Sequence, residues 1–564
     1  MIENQVRNVL VTCGGGFQGL AILEGLRQIP GVRTVICDWN EENVGRYFST
    51  AFSRSPAIAD AEEYVKFLTR LISEENIELV IPASDLDLEM LAASRARFKD
   101  LKTTVAVSDA ELLAILLDKR ATYRLAKISG ISVLDEVAIE RGAVLGKDVI
   151  AKPVKGSGGK GHRVFRRGEI ADDLISLGEN EKYLVQPYLD GAPEYSVDFC
   201  VNERGEVSPL AARERVRNFS GFSILGRSAS HRTDLLDAAG LFANVLAGHG
   251  GLGGFNLQFI DDGGCLRLID VNARFGTSSS FSLLMGTNLQ AWLLDGAAEP
   301  AFENVKLIKY VAQTCVPLAP PSVKGIVFDL DDTLIDQKAW IWSKLKLLHE
   351  KFERVLPARS RFLQTAFQIL EEGNRALLID ALIERWELPL ALREGLIETY
   401  RAAIPESIFV YPDVERTVTE LSRRGFRLGL LSDNPAVSQR QKLERLRATY
   451  GFVSAFDAVV LSNEIGVYKP DVKAFEAIAQ ALETPCDHLV MVGDNLVRDS
   501  IGAIEAGFAG AFLLNRQGAF FNFNRGLAQE IDSSDLISWI DDLDKLLWHL
   551  PAPNSYSSGG GARA

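Results

Sequence analysis

No stretch of this 564-residue sequence approaches the roughly 18 uninterrupted apolar residues of a membrane-spanning helix. The opening MIENQVRNVLVTCGGG likewise lacks the basic segment and long apolar run of a secretory leader. Cysteine is scarce and scattered: Cys13, Cys37, Cys200, Cys265, Cys315 and Cys486 form no CxxC pair. Such spacing argues against zinc ribbons and a disulfide framework and reads as thiols of a reducing compartment, so a cytoplasmic location is expected. Basic charge is also in short supply, with 61 Lys and Arg against 75 Asp and Glu, a formal net charge of −14. A nucleic-acid-binding surface needs a basic footprint, so that class is set aside.

What is present is ordinary for a globular protein, 47% hydrophobic and 24% charged. The length exceeds one core and suggests roughly three or four units. Near the amino terminus, Val9 to Thr12 reads as a strand running into Gly14, Gly15, Gly16 and Gly19 and then a helix. A second strand, TVICD, ends at Asp38, and the helix and strand from Glu62 to Ile81 continue the alternation. This is the pattern of a small doubly wound parallel sheet, although GGGxxG is a weak nucleotide fingerprint. Asp85, Asp87 and Glu89 follow a strand end, where such sheets make ligand contacts, with compensation of a helix dipole as the plainer reading.

The sharpest signal of the first half is VIAKPVKGSGGKGHRV, Val149 to Val164. A strand delivers Lys152, after which Lys155, Lys160, Gly156, Gly158, Gly159 and Gly161 suit a loop closing on a polyphosphate. The GxxxxGK[ST] spacing of a P-loop is absent. About a hundred residues on, two strands, GFNLQFI and CLRLIDVNARFG, are joined by DDGG, which places Gln258, Asp270 and Asn272 on one face. Three oxygen ligands there suit Mg²⁺ bridging phosphates, and Arg274 extends the face with a fixed positive charge for a developing oxyanion.

With these motifs in order, residues 6 to 315 resemble the ATP-grasp superfamily, nearest its carbamoyl phosphate synthetase-like branch. The resemblance implies that Lys119 and Lys152 contact ATP phosphates and that Lys155, Gly156, Ser157, Gly158 and Gly159 belong to the loop closing over them. It further implies an adenine-side hinge at Gln186 to Leu189, a ribose-side contact at Glu194, and magnesium held by Gln258, Asp270 and Asn272. Two positions depart from the family: Asp270 and Ala273 stand where Glu and Pro are usual. Relatives of this type phosphorylate a carboxylate with ATP and let an amine attack the acyl phosphate. Arg213, Arg215 and Arg217 are candidates for holding the carboxylate, with a plain surface-charge reading equally open.

VPLAPPSVKG reads as a stiff linker. Beyond it, GIVF is a buried strand ending in Asp329, Asp331 and Asp332, carboxylates whose mutual repulsion calls for a cation or a chemical role. A helical tract follows from Lys338 to about Ile404, with Trp340, Trp342 and Trp386 expected in its core. Alternating strands and helices then place Ser432, Lys469, Asp494 and Asp499 after successive strands, where they can converge at one sheet edge.

This order resembles the haloacid dehalogenase superfamily over residues 323 to 530, in the DxDxT form of its phosphatases. The resemblance makes Asp329 the nucleophile and Asp331 the general acid and base. It makes Ser432 and Lys469 phosphate binders, and Asp329, Asp331 through its carbonyl, Asp494 and Asp499 the metal site, with Asp499 otherwise a support for Lys469. The helical tract would be a cap favouring a small phosphorylated substrate.

The expected architecture is therefore α/β and multidomain: an α/β pre-ATP-grasp domain over 1–118, an α+β ATP-grasp domain over 119–318, a linker at 319–324, a Rossmann-like dehalogenase-type core over 325–530 with a helical cap at about 338–410, and an amphipathic helix with a disordered tail over 531–564. The expected function is bifunctional: ligation of a small carboxylate to an amine, joined to hydrolysis of a phosphorylated metabolite, with ATP and Mg²⁺ (or Mn²⁺) as cofactors. A first half acting as a kinase or phosphate-transfer module, or as a nucleotide-binding regulator of the phosphatase, is the alternative. Partners are small molecules, with no membrane or nucleic acid and a homodimer compatible with the sequence.

Overall fold

A computed structural model describes residues 7–137, 144–156, 161–169, 174, 182–219, 222–310, 322–373, 377–520 and 534–550. Ser157, Gly158, Gly159 and Lys160 of the glycine-rich loop, the linker prolines and the tail from residue 551 lie outside these. The chain forms two compact units, one over Arg7–Thr314 and the other taking in the chain from Cys315 onward.

The first unit begins with five parallel strands, β1 (Arg7–Thr12), β2 (Val32–Asp38), β3 (Ala51–Arg54), β4 (Ile77–Pro82) and β5 (Thr104–Val105), in the order β3-β2-β1-β4-β5. Chain direction reverses its lateral progress between β1 and β4, so a crevice opens beyond their carboxyl ends. There the turn after β1 packs tightly against the helix Phe17–Leu26, because a Cβ on Gly19 would lie 2.1 Å from the carbonyl oxygen of Gly14. Next come the antiparallel strands β6 (Val149–Pro153), β7 (Arg163–Phe165) and β8 (Tyr183–Pro187), in the order β7-β6-β8. A six-stranded antiparallel sheet completes the unit. It comprises β9 (Glu194–Val201), β10 (Ala211–Phe219), β11 (Phe222–Ser228), β12 (Gly253–Asp262), β13 (Cys265–Asn272) and β14 (Lys306–Ile308), ordered β13-β12-β9-β10-β11-β14. Register pairs Gln258 with Asp270 and Asn256 with Asn272, which puts the anticipated metal ligands side by side.

The second unit is a six-stranded parallel sheet, β17-β16-β15-β18-β19-β20, made of β15 (Gly325–Phe328), β16 (Arg427–Ser432), β17 (Ala458–Leu461), β18 (Leu489–Gly493), β19 (Gly510–Leu514) and β20 (Ile537–Ile540). β15 pairs with both β16 and β18, so Asp329 leaves the sheet at its own switch point. Between β15 and β16 lie the helices Gln337–Lys351, Arg359–Glu371, Leu378–Arg385 and Arg393–Ala402, which share a core of Leu348, Phe362, Leu382 and Leu396. Of the three tryptophans expected in this core, Trp340 is buried and Trp342 is 40% exposed. One expectation is corrected at the carboxyl end. The segment read as an amphipathic helix is strand at Ile537–Ile540, and only Leu546–His549 is α-helical. The open edge of β19 offers a parallel partner to this β-branched run, and pairing wins over helical spacing.

Candidate active sites

In the first unit a cavity of about 600 Å³ is lined by Lys119, Lys152, Gly156, Glu194, Arg215, Gln258, Asp270, Asn272 and Arg274, among others. The helix Lys119–Ile128 starts here because Asp118 caps it, accepting from the Ala121 amide at 2.9 Å. Lys119 Nζ donates to the Gly156 carbonyl at 2.8 Å and stands 3.7 Å from Asp270 Oδ1. Lys152 is buried, and loss of solvent holds its ammonium below the ordinary lysine range, with Asp270 pulling the other way. These two lysines are cations placed for an anionic ligand.

Several candidates take positions the sequence did not indicate. Gln258 Oε1 accepts from Arg215 Nη1 at 2.8 Å, so its oxygen can turn to a metal only when Arg215 yields it. Arg274 is held by the Asp85 carboxylate through Nε and Nη2, both at 3.0 Å, which gives Asp85 a specific partner instead of a helix dipole. Gln186 does not line the cavity. It is fully buried, donates to the Leu134 carbonyl at 2.7 Å and accepts from Tyr123, while the next residues, Pro187 to Leu189, line the wall. Lys155 is exposed and outside the lining. Arg213 forms a buried ion pair with Asp198, whose Oδ1 also accepts from Asn256 at 2.6 Å, and Arg217 is exposed, leaving Arg215 as the half-buried member of the arginine series.

In the second unit, Lys469 Nζ lies 2.7 Å from Asp329 Oδ1 and 2.5 Å from Asp499 Oδ1, with all three side chains buried. Asp499 also accepts from the Asn495 amide at 3.0 Å. Both its oxygens therefore accept hydrogen bonds, and it supports Lys469 in this arrangement. The close approach depends on Gly493, where a Cβ would fall 2.2 Å from Asp499 Oδ2. Burial raises the Asp494 carboxyl above the carboxylate range, and the charges of Asp499 and Asp329 raise it further. Asp329 is also raised, by burial against the pull of Lys469.

Asp331 sits in a cradle. Its Oδ2 accepts from Asn434 Nδ2 at 2.6 Å and Gln439 Nε2 at 2.7 Å, and its Oδ1 pairs with the Lys442 ammonium. Burial works to raise the Asp331 carboxyl, but Lys442 and these amides together hold it below the ordinary value. Gln439 also donates to Ser432 Oγ at 2.6 Å, tying the Ser432 hydroxyl to the Asp331 carboxylate. Asp332 shapes the backbone: at φ 57° it turns the chain, accepting from the Gln337 amide at 3.1 Å and the Phe520 amide at 3.0 Å. Asn434, Gln439 and Lys442 are partners of Asp331 that no sequence motif singled out.

Among the described residues, no three His, Cys, Asp or Glu side chains form a ready-made metal cluster. Magnesium usually takes one or two carboxylates and completes its shell with water and substrate phosphate. Asp329 and Asp494, both raised by burial and by neighbouring carboxylates, fit that demand, and so do the side-chain oxygens of Asp270, Asn272 and Gln258. No described helix is long and apolar enough to cross a membrane.

Comparisons with known proteins follow the two units. The family model of haloacid dehalogenase-like hydrolases matches residues 323–507, that of ATP-grasp in the biosynthetic pathway with Ter operon matches 179–314, and that of the PylC-like N-terminal domain matches 10–106. A glyceraldehyde 3-phosphate phosphatase of Methanopyrus kandleri is 31% identical over 195 residues, covering 33% of this chain and 81% of its own. A phosphoglycolate phosphatase of Cereibacter sphaeroides is 29% identical over 236 residues, covering 40% and 99%. Among solved structures, an N5-carboxyaminoimidazole synthetase of Staphylococcus aureus complexed with ADP aligns at 15% identity and a TM-score of 0.41, covering 54% of this chain and 80% of that one. The chain is thus an enzyme whose second half belongs to the haloacid dehalogenase-like hydrolases and whose first half matches an ATP-grasp family model preceded by a PylC-like N-terminal domain.

Proposed function

We propose that the first half ligates a small carboxylate to an amine through an acyl phosphate and that the second half hydrolyses a small phosphate monoester. The observation that supports this reading is that each unit gathers groups suited to a phosphate, Lys119 and Lys152 around one cavity and Asp329, Ser432 and Lys469 at one sheet edge. When bound, Mg²⁺ neutralises phosphate oxygens. Gln258, Asp270 and Asn272 would hold it in the first half, and Asp329, Asp494 and the Asp331 carbonyl in the second.

In the ligase half, a substrate carboxylate oxygen attacks the γ-phosphorus and ADP leaves. The amine nitrogen then attacks the acyl carbon and phosphate leaves. Lys119 and Lys152 offset phosphate charge, and Arg274, aimed by Asp85, faces the oxyanion. In the phosphatase half, Asp329 attacks phosphorus, the ester P–O bond breaks, and the departing alkoxide takes a proton from Asp331. Water then opens the aspartyl phosphate and returns a proton to Asp331. Lys442 must loosen its hold on Asp331 for that proton to be carried. The named activities of the relatives, on glyceraldehyde 3-phosphate and phosphoglycolate, support a small ester. The test of the ligase reading is ADP release from ATP with panels of carboxylate and amine pairs: release above the ATP-only background with at least one pair supports it, and no pair doing so would defeat it.

A further inference from the structure

The helix Gln337–Lys351 buries Trp340, Lys344, Leu345, Leu348 and His349, so a lysine stands in its otherwise mostly apolar stripe. Lys344 is 4% exposed. Its ammonium carries three donors, yet among the described residues it makes one long hydrogen bond, 3.4 Å to the Arg401 carbonyl, and lies 4.8 Å from the centre of the Tyr400 ring. No described carboxylate pairs with it. Loss of solvent, with the nearby charge of Lys442 second, pulls Lys344 down to about 8. An ammonium kept this dry without a counter-charge is costly, and the cost falls once an anion arrives.

Lys442 comes from the other side, on the helix Ala436–Thr449 of the core, and already pairs with Asp331. The Asp331–Lys442 pair is neutral, so the local excess is the single positive charge of Lys344. Lys442 pairs with Asp331 and its charge also reaches Lys344, which sets the excess charge near Asp331, the group that meets the leaving oxygen in the phosphatase reading. One carboxylate, with charge −1, balances it. A second phosphate, with about −1.5 to −2, would overshoot and be harder to desolvate.

We propose that Lys344, backed by Lys442, is a second anion subsite of the phosphatase half, taking a carboxylate on the leaving group, so that the preferred substrate is a phosphorylated carboxylic acid. This rests on the phosphatase reading above. The test compares kcat/KM for 3-phosphoglycerate, glycerol 3-phosphate and propane-1,3-diol bisphosphate in the full chain with Mg²⁺, for the native protein and for Lys344→Met and Lys344→Gln. The native enzyme favours 3-phosphoglycerate over glycerol 3-phosphate by at least about tenfold, the worth of one charge-assisted hydrogen bond. In both variants that ratio collapses toward one, mainly through KM. A native ratio near one, a ratio unchanged in the variants, or a preference for the bisphosphate would overturn the subsite while leaving the phosphatase intact. No phosphate from any of these esters or from p-nitrophenyl phosphate would remove the phosphatase reading and the subsite with it.

Discussion

Replacing Lys469 with methionine removes the one cation that separates two buried carboxylates. Its ammonium is 2.7 Å from Asp329 and 2.5 Å from Asp499, and the three side chains are 3%, 11% and 2% exposed. At an effective dielectric of about 20, each contact is worth roughly 6 kcal/mol of attraction before desolvation is counted. Desolvation removes much of that, but removing one partner of a buried pair still costs about 3–5 kcal/mol, because the stranded charges remain. With a urea dependence of about 2 kcal/mol/M, the midpoint of the second unit should fall by about 2 M in metal-free buffer. Trp340, Trp342, Trp386, Trp539 and Trp548 all lie in that unit, so intrinsic fluorescence follows it preferentially. Mg²⁺ should recover part of the loss, since a cation can compensate Asp329, whereas Asp499 remains without its partner. A metal-free midpoint equal to that of the native protein, or a loss of the same size with and without Mg²⁺, would refute this charge-balance reasoning.

Gly493→Ala forces a Cβ to within 2.2 Å of Asp499 Oδ2, so it should cost about 1–3 kcal/mol and lower phosphatase kcat by displacing Lys469, seen by paired thermal melts and phosphate release. Asp85→Asn loosens the clamp on Arg274 and should cut ATP-dependent turnover roughly 10- to 100-fold while phosphatase turnover holds, read by ADP release beside phosphate release. Because burial lowers Lys152, its ammonium is lost at a lower pH than that of an ordinary lysine. KM for ATP should therefore climb with rising pH, and the climb should vanish in Lys152→Met.

Much of the second site was legible because its chemistry lies in order along parallel strands. Once β15 pairs with β16 and β18, Asp329, Ser432 and Asp494 must share one sheet edge, whatever the helices between them do. The cradle of Asp331 was harder to see, although a signal existed. Gln439, Lys442, Leu443 and Leu446 follow the spacing of one buried helical face, so two polar residues stood where apolar ones belong. Lys344 repeats that signal between Trp340 and Leu348. By contrast, nothing local announces the Asp85–Arg274 pair, which joins residues 189 apart in the chain. The inward turn of the Gln186 side chain was not legible, because β8 is buried at Leu184, Val185 and Gln186 alike and alternation does not tell its two faces apart. At the carboxyl end, a helical pattern lost to an open sheet edge that only the assembled fold supplies.

The central claim is that one chain carries two separate active sites, and inactivating them one at a time tests it most directly. Asp329→Asn should abolish phosphate release from p-nitrophenyl phosphate and leave ATP-dependent ADP release within about twofold of native, since Asp329 and Asp270 belong to different compact units. Asp270→Ala should do the reverse. Loss of both activities in either folded variant, or retained phosphatase turnover in Asp329→Asn, would contradict it.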